Sequence, residues 1–145
     1  MIKFTDRGHA RVSIQFGQTE WVKTMVPYAM RMNDLSGTYQ GQIVTLTSAD
    51  TTASSSATLN IVDNGSTVAI TAVQPGNTCT YTGSRSQYGQ RVGVAGTWTC
   101  NGNGSSGSFT MDDAEVSANG FTASMTGMPG GLPNAVGHIG GARTN

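Results

Sequence analysis

The sequence predicts an all-β protein: an antiparallel up-and-down meander of about eight strands forming a small barrel or flattened barrel-sandwich, preceded by an N-terminal hairpin or a strand plus short helix. Three observations predict it. Apolar residues alternate with Thr, Ser, Asn and Gln over most of the chain, which is the period of a strand with one wet face. Turn dipeptides built on Gly, Asn and Pro interrupt that alternation at short intervals. Folding the chain at those turns also brings the two cysteines opposite each other on neighbouring strands.

A length of 145 residues suits one main core, and 37% hydrophobic residues supply it. Charged residues make up 11%, eight basic against eight acidic, so no electrostatic footprint for nucleic acid or an anionic membrane is expected. No apolar run reaches the length of a membrane-spanning helix, and Met1 to His9 carries no hydrophobic core of a signal peptide. The division expected is 1–34 as a hairpin or lid and 35–145 as the barrel.

In chain order, Val12, Ile14 and Phe16 alternate with Arg11, Ser13 and Gln15 as a strand. Trp21 to Met32 fits a helix with Trp21, Val22, Met25, Val26, Ala29 and Met30 on one face. Pro27 would cost a helix interior ~3 kcal/mol, so the strand face Val22, Thr24, Val26, Tyr28 is preferred. Gly37 to Ile43 opens the meander, and Ser48 to Ser56 reads as a Ser/Thr/Ala-rich loop. Asn64-Gly65 is a two-residue hairpin signal, setting Ile61 opposite Val68, Leu59 opposite Ile70 and Ala57 opposite Ala72.

Gln74-Pro75-Gly76-Asn77 fits a type II turn and pairs Ala72 with Cys79 and Ile70 with Tyr81. A Gly89-Gln90 turn then sets Tyr81 opposite Trp98, Gly83 opposite Gly96 and Cys79 opposite Cys100. Asn101 to Gly107 reads as a glycine-rich loop, and Phe109 and Met111 point inward beyond it. Ala114, Val116 and Ala118 have the other parity, which requires a bulge near Asp112-Asp113. An Asn119-Gly120 turn pairs Ala118 with Phe121, Val116 with Ala123 and Ala114 with Met125. Ala135 to Arg143 supplies the last strand.

The strand openings Gly37-Thr38-Tyr39 and Gly96-Thr97-Trp98 resemble the Gly-x-Trp type openings of calycins, the superfamily of lipocalin and avidin barrels. That resemblance implies a small-molecule binding barrel, and no binding residue is carried over from it.

Cross-strand placement puts Cys79 and Cys100 within disulfide reach, so a structural disulfide and a secreted or periplasmic setting, with any signal peptide already removed, are expected. His9 and His138 have neither a second histidine nor a carboxylate at ligand spacing. Without a Gly-x-Ser-x-Gly elbow the many serines do not make a nucleophile site, and no catalytic residue or cofactor is assigned. Asp112, Asp113 and Glu115 lack a calcium-loop spacing and belong with the bulge. The Asn101 to Gly107 loop lacks a lysine and a following helix, which a phosphate loop needs. Asn64-Gly65-Ser66 and Asn103-Gly104-Ser105 match the glycosylation acceptor but read first as turns.

The function expected is a non-catalytic binding module for a small apolar or sugar-like ligand. Tyr39, Ile70, Tyr81, Trp98 and Phe121 are its wall, interleaved with the small residues Gly41, Gly83, Gly96, Ala114 and Ala123. The alternatives are a structural or protein-interaction domain with a packed core, and Cu(I) binding by Met30, Met32, Met125 and Met128 with His138. No metal site is committed to, no membrane insertion is expected, and a protein partner is left open.

Overall fold

The computed structural model describes residues 1–6, 9–25, 33–48, 51–102, 104–132 and 134–144. Every regular element among them is a strand, and all pairings are antiparallel. Strands β1 (Ile2–Asp6), β2 (His9–Phe16) and β3 (Thr19–Met25) form a separate three-stranded sheet. Eight more form a closed barrel: β4 (Gly37–Ser48), β5 (Thr51–Asp63), β6 (Thr67–Gln74), β7 (Asn77–Tyr88), β8 (Arg91–Cys100), β9 (Ser106–Val116), β10 (Gly120–Thr126) and β11 (Gly137–Arg143). Each strand pairs with its sequence neighbour, and β11 closes on β4 from Val44–His138 to Tyr39–Arg143. Closure removes the sheet edges that an open meander would leave unpaired.

The Pro75-Gly76 and Gly89-Gln90 turns set the expected register. Ile70 faces Tyr81, Ala72 faces Cys79, Tyr81 faces Trp98 and Cys79 faces Cys100. Gly76 (φ 74°) and Gly89 (φ 62°) take the left-handed conformations these turns require. The Asn101 amide donates to the Thr78 carbonyl at 3.0 Å, so 79 and 100 are the adjacent non-hydrogen-bonded pair, where side chains approach most closely. Cys79 and Cys100 are joined there, with Cα atoms 4.0 Å apart.

Two other hairpins differ from the expected register by two residues. Ile61 faces Ile70, Leu59 faces Ala72 and Asp63 faces Val68, because the two turn residues are Gly65-Ser66. Asn64 pairs with Thr67 instead of entering the turn, its amide 3.1 Å from the Thr67 carbonyl. Its side-chain Oδ1 accepts from the Ser66 and Thr67 amides at 3.0 and 2.8 Å, an Asx turn that stabilises this choice. Similarly Ser117 closes on Gly120, so Val116 faces Phe121 and Ala118 is an exposed turn residue. A shift of two preserves the faces, since side chains alternate with period two.

The expected bulge is present at Asp113 (φ 55°), where the pairings of β9 with β8 and β10 both change register. Residues 51–56 belong to β5 and pair with Gln42 to Ser48, whereas a loop was expected. That stretch is almost wholly exposed, so it lacks the apolar alternation that marks a half-buried strand, and its Thr and Ser follow the partner strand. The expected loop at 101–107 is also shorter, since β9 starts at Ser106.

At the N-terminus a three-stranded sheet replaces the expected hairpin: Ile2 to Asp6 adds to β2, and Thr19–Met25 is a strand. Residues 26–32, including Met30 and Met32, lie outside the described part, as does Asn103.

Two glycine contacts let the barrel wall bend sharply. A Cβ on Gly41 would run into the backbone of Gly140 and Gly141, and one on Gly96 into that of Thr82 and Gly83. Small residues on the inner face therefore serve close backbone approach.

A candidate binding site at the open end of the barrel

The inner face of the barrel is continuous in parity but not in chemistry. Along its middle it is apolar: Tyr39, Leu59, Ile70, Tyr81, Met111, Met125 and Ile139 are fully or almost fully buried in one cluster. The five expected wall residues all lie here. Tyr39 and Phe121 meet edge to face with centroids 4.7 Å apart, and Tyr81 meets Phe109 the same way at 5.3 Å. Trp98 donates its indole N–H to the Gly127 carbonyl at 2.7 Å, and Ile70 has no exposed surface. The row is filled with its own side chains, as in a barrel of eight strands just wide enough to pack. Tyr39 and Phe121 sit nearer one end, and Tyr81 and Trp98 nearer the other.

At the Tyr39 end the inward positions turn charged and are covered. Asp63 and Arg85, both inward by strand parity, form an ion pair at 3.0 Å with side chains only 2% and 3% exposed. Residues 33–36 lie across them. The Leu35 amide donates to Asp63 at 3.2 Å, and Arg85 donates to the Asn33 carbonyl and to Gln87. Ser36 exchanges two hydrogen bonds with the Asp63 backbone. The Tyr39 hydroxyl donates to the Leu35 carbonyl at 2.9 Å and accepts from Arg143 at 2.9 Å. Burial raises the Tyr39 pKa, while Arg143 opposes the rise. Hydrogen bonds from Ser36 hold Asp34 below the usual carboxylate range.

At the opposite end the inward positions become polar, and the connection from Met128 to Leu132, whose Leu132 amide donates to the Leu46 carbonyl at 2.9 Å, covers them only in part. Following Ile43 on β4 come Thr45 and Thr47. On β5, Ser55 pairs with Ile43 and Ala53 with Thr45, and Gln74 ends β6. These residues, with Tyr81 and the Pro129-Gly130 connection, line a cavity of about 190 Å³, room for several waters. Gln74 donates to Ser55, and Thr45 sits 3.8 Å from the Met128 sulfur. Tyr81 is 1% exposed, and its hydroxyl has no hydrogen-bond partner among the described residues. Burial pushes its pKa up to about 12.

The remaining candidates have structural places. Asp113 and Glu115 face Arg91 at 3.5 and 2.8 Å on the outer surface beside the bulge. His138 is exposed, while Met125 points into the core, so these two project to opposite sides of the wall. Among the described residues no group of three His, Cys, Asp or Glu gathers to hold a metal. Asp63, Arg85, Thr45, Ser55 and Gln74 were not singled out from sequence. Their one signal is inward parity on strands whose other inward residues are apolar. No family model, curated protein or solved structure matches the chain.

Proposed function

We infer that the protein is a non-catalytic binding module, working in an oxidising compartment such as the periplasm or extracellular space, that takes one small sugar-like ligand at the open end of its barrel. The observation that carries this reading is Tyr81. Its ring is almost wholly buried, while its hydroxyl is not a buried unpaired group and faces a cavity whose other polar groups are Thr, Ser and Gln side chains, where a ligand hydroxyl can replace water as its partner.

A ring bearing several hydroxyls matches that lining. Its oxygens accept from and donate to Tyr81, Ser55 and Gln74, while Ile43, Ala53 and Pro129 meet its less polar face. Among the described residues the cavity lining contains no carboxylate, imidazole or amine, which favours binding over acid–base chemistry. The disulfide supports the compartment. An apolar ligand inside the barrel has no support, because the aromatic row fills that space.

A second reading, a structural domain without ligand, is favoured by the same packed interior. Thermal denaturation against a panel of monosaccharides and short glycans separates the two. Saturation at 100 times Kd adds about 2.7 kcal/mol, a rise in Tm on the order of 5–10 °C for a domain this size. The Tyr81→Phe variant is expected to keep its ligand-free Tm within ~3 °C and lose most of the rise. No response to any glycan leaves the structural reading.

A further inference from the structure

We propose that the N-terminal three-stranded sheet is a self-association surface, packing its apolar face against the same face of a second copy of the chain. The register of β1, β2 and β3 sorts most of their side chains by polarity. Ile2 pairs with Val12, Ile14 with Trp21, and Ala10 with Met25, so Ile2, Val12, Ile14, Phe16, Trp21 and Met25 share one face. Lys3, Arg11, Ser13, Gln15, Glu20, Val22 and Thr24 occupy the other, where Val22 is the one large apolar side chain among the described strand residues.

The apolar face is uncovered: Trp21 is 62% and Phe16 69% exposed, and Ile2, Ile14 and Met25 are at least half exposed. A three-stranded sheet draws hydrophobic stabilisation from such a face only when the face is removed from water. Scattered surface apolar residues need no explanation, but a contiguous face of this size does.

The occupant follows from shape, chemistry and area. Among the described residues the barrel's outer wall offers no matching patch. It is tiled with hydrogen-bonded polar pairs such as Thr38–Asn60 and Gln40–Thr58, and its exposed apolar residues, among them Val62, Val73 and Tyr88, lie apart on different strands. A second copy brings a flat face of the same composition, and two such sheets stacked about 10 Å apart form a six-stranded sandwich with a buried core. The exposed apolar residues of one face present on the order of 600 Å², and their polar borders bring this close to the ~800 Å² each partner gives to a standard interface. Lys23 is the one charged residue among the described side chains of that face. It lies on the edge strand β3, from which its ammonium reaches solvent.

The test is sedimentation velocity on the full chain across micromolar concentrations, where a species of twice the 15.0 kDa chain mass is expected. The Ile14→Lys/Trp21→Lys variant is expected to sediment as a monomer with an unchanged barrel Tm. Val22→Lys, on the opposite face of β3, is expected to remain a dimer. A wild-type monomer, a dimer indifferent to Ile14→Lys/Trp21→Lys, dissociation by Val22→Lys, or a trimer or larger species would each overturn face-to-face pairing. The dimer rests on the N-terminal sheet alone, so its failure leaves the reading of the barrel's open end untouched.

Discussion

The two ends of the barrel are built from the same inward-facing positions and come out as opposites. At one end, inward Asp63 and Arg85 neutralise each other and residues 33–36 cross over them, with Leu35 wholly buried. At the other, inward Thr45, Ser55 and Gln74 surround a cavity that the connection through Met128, Pro129 and Gly130 borders without filling. Charge in a barrel mouth is tolerable only when paired and hydrogen-bonded, which demands a cover that excludes water. Uncharged hydroxyls and amides make no such demand, and they leave a pocket into which the otherwise buried Tyr81 side chain presents its hydroxyl. The sealed end therefore serves stability, and the other end is the site proposed for recognition.

The largest effect expected is at the sealed end. Asp63→Ala leaves the Arg85 guanidinium buried without its carboxylate and is expected to cost about 3–5 kcal/mol by denaturant unfolding. The double replacement Asp63→Leu/Arg85→Met should cost much less. Equal losses would mean that the segment 33–36, rather than the charge pair, is what matters there.

Trp98→Ala removes a packed ring and the bond to the Gly127 carbonyl and is expected to cost ~3–5 kcal/mol as well. A loss below 1 kcal/mol would show the aromatic row lining an empty space after all. Reducing the Cys79–Cys100 disulfide, which closes a loop of 21 residues, should lower stability by about 3 kcal/mol, read as a drop in Tm under reductant.

A smaller effect should appear at high pH. Tyr81 has a folded-state pKa raised to about 12, above its unfolded value near 10. Its neutral form therefore contributes stability that is fully present below pH ~10 and is lost as pH rises toward ~12, by roughly 2–3 kcal/mol in all. Tyr81→Phe should flatten that loss, and the 295 nm absorbance titration should lose its latest-ionising phenol. At the acid side, the lowered pKa of Asp34 acts in the opposite sense: its contribution holds above the usual carboxylate pKa and disappears as pH falls through the folded value.

The contrast between the ends also marks what could be read from the chain. The barrel was legible because its faces depend on parity alone. At Gly65-Ser66 the turn starts one residue later than Asn64-Gly65 would place it, which moves the partner by two and leaves Leu59, Ile61 and Ile70 facing inward. Pro75 and Gly76 allow one turn geometry, so the register there was legible in full, and with it the disulfide. The ends were not legible. Asp63 and Arg85 stand 22 residues apart, and only the barrel brings them together under residues 33–36. The open end depends on how far β4 and β5 extend beyond the core, where Thr47 and Thr51 to Ser54 are exposed and lack apolar alternation. The aromatic row had the right direction, but its role turns on whether the interior is full, which is a matter of volume and not of pattern.

The most direct test of the account is a glycan titration followed by amide resonances of uniformly ¹⁵N-labelled full-length protein. The account predicts saturable shifts confined to Thr45, Thr47, Ser54, Ser55, the Gln74 side-chain amide and Tyr81, with Asp63, Arg85 and Leu35 unmoved and the response abolished in Tyr81→Phe. Shifts centred on residues 33–36 and Arg85, or saturable binding that survives Tyr81→Phe unchanged, would contradict it.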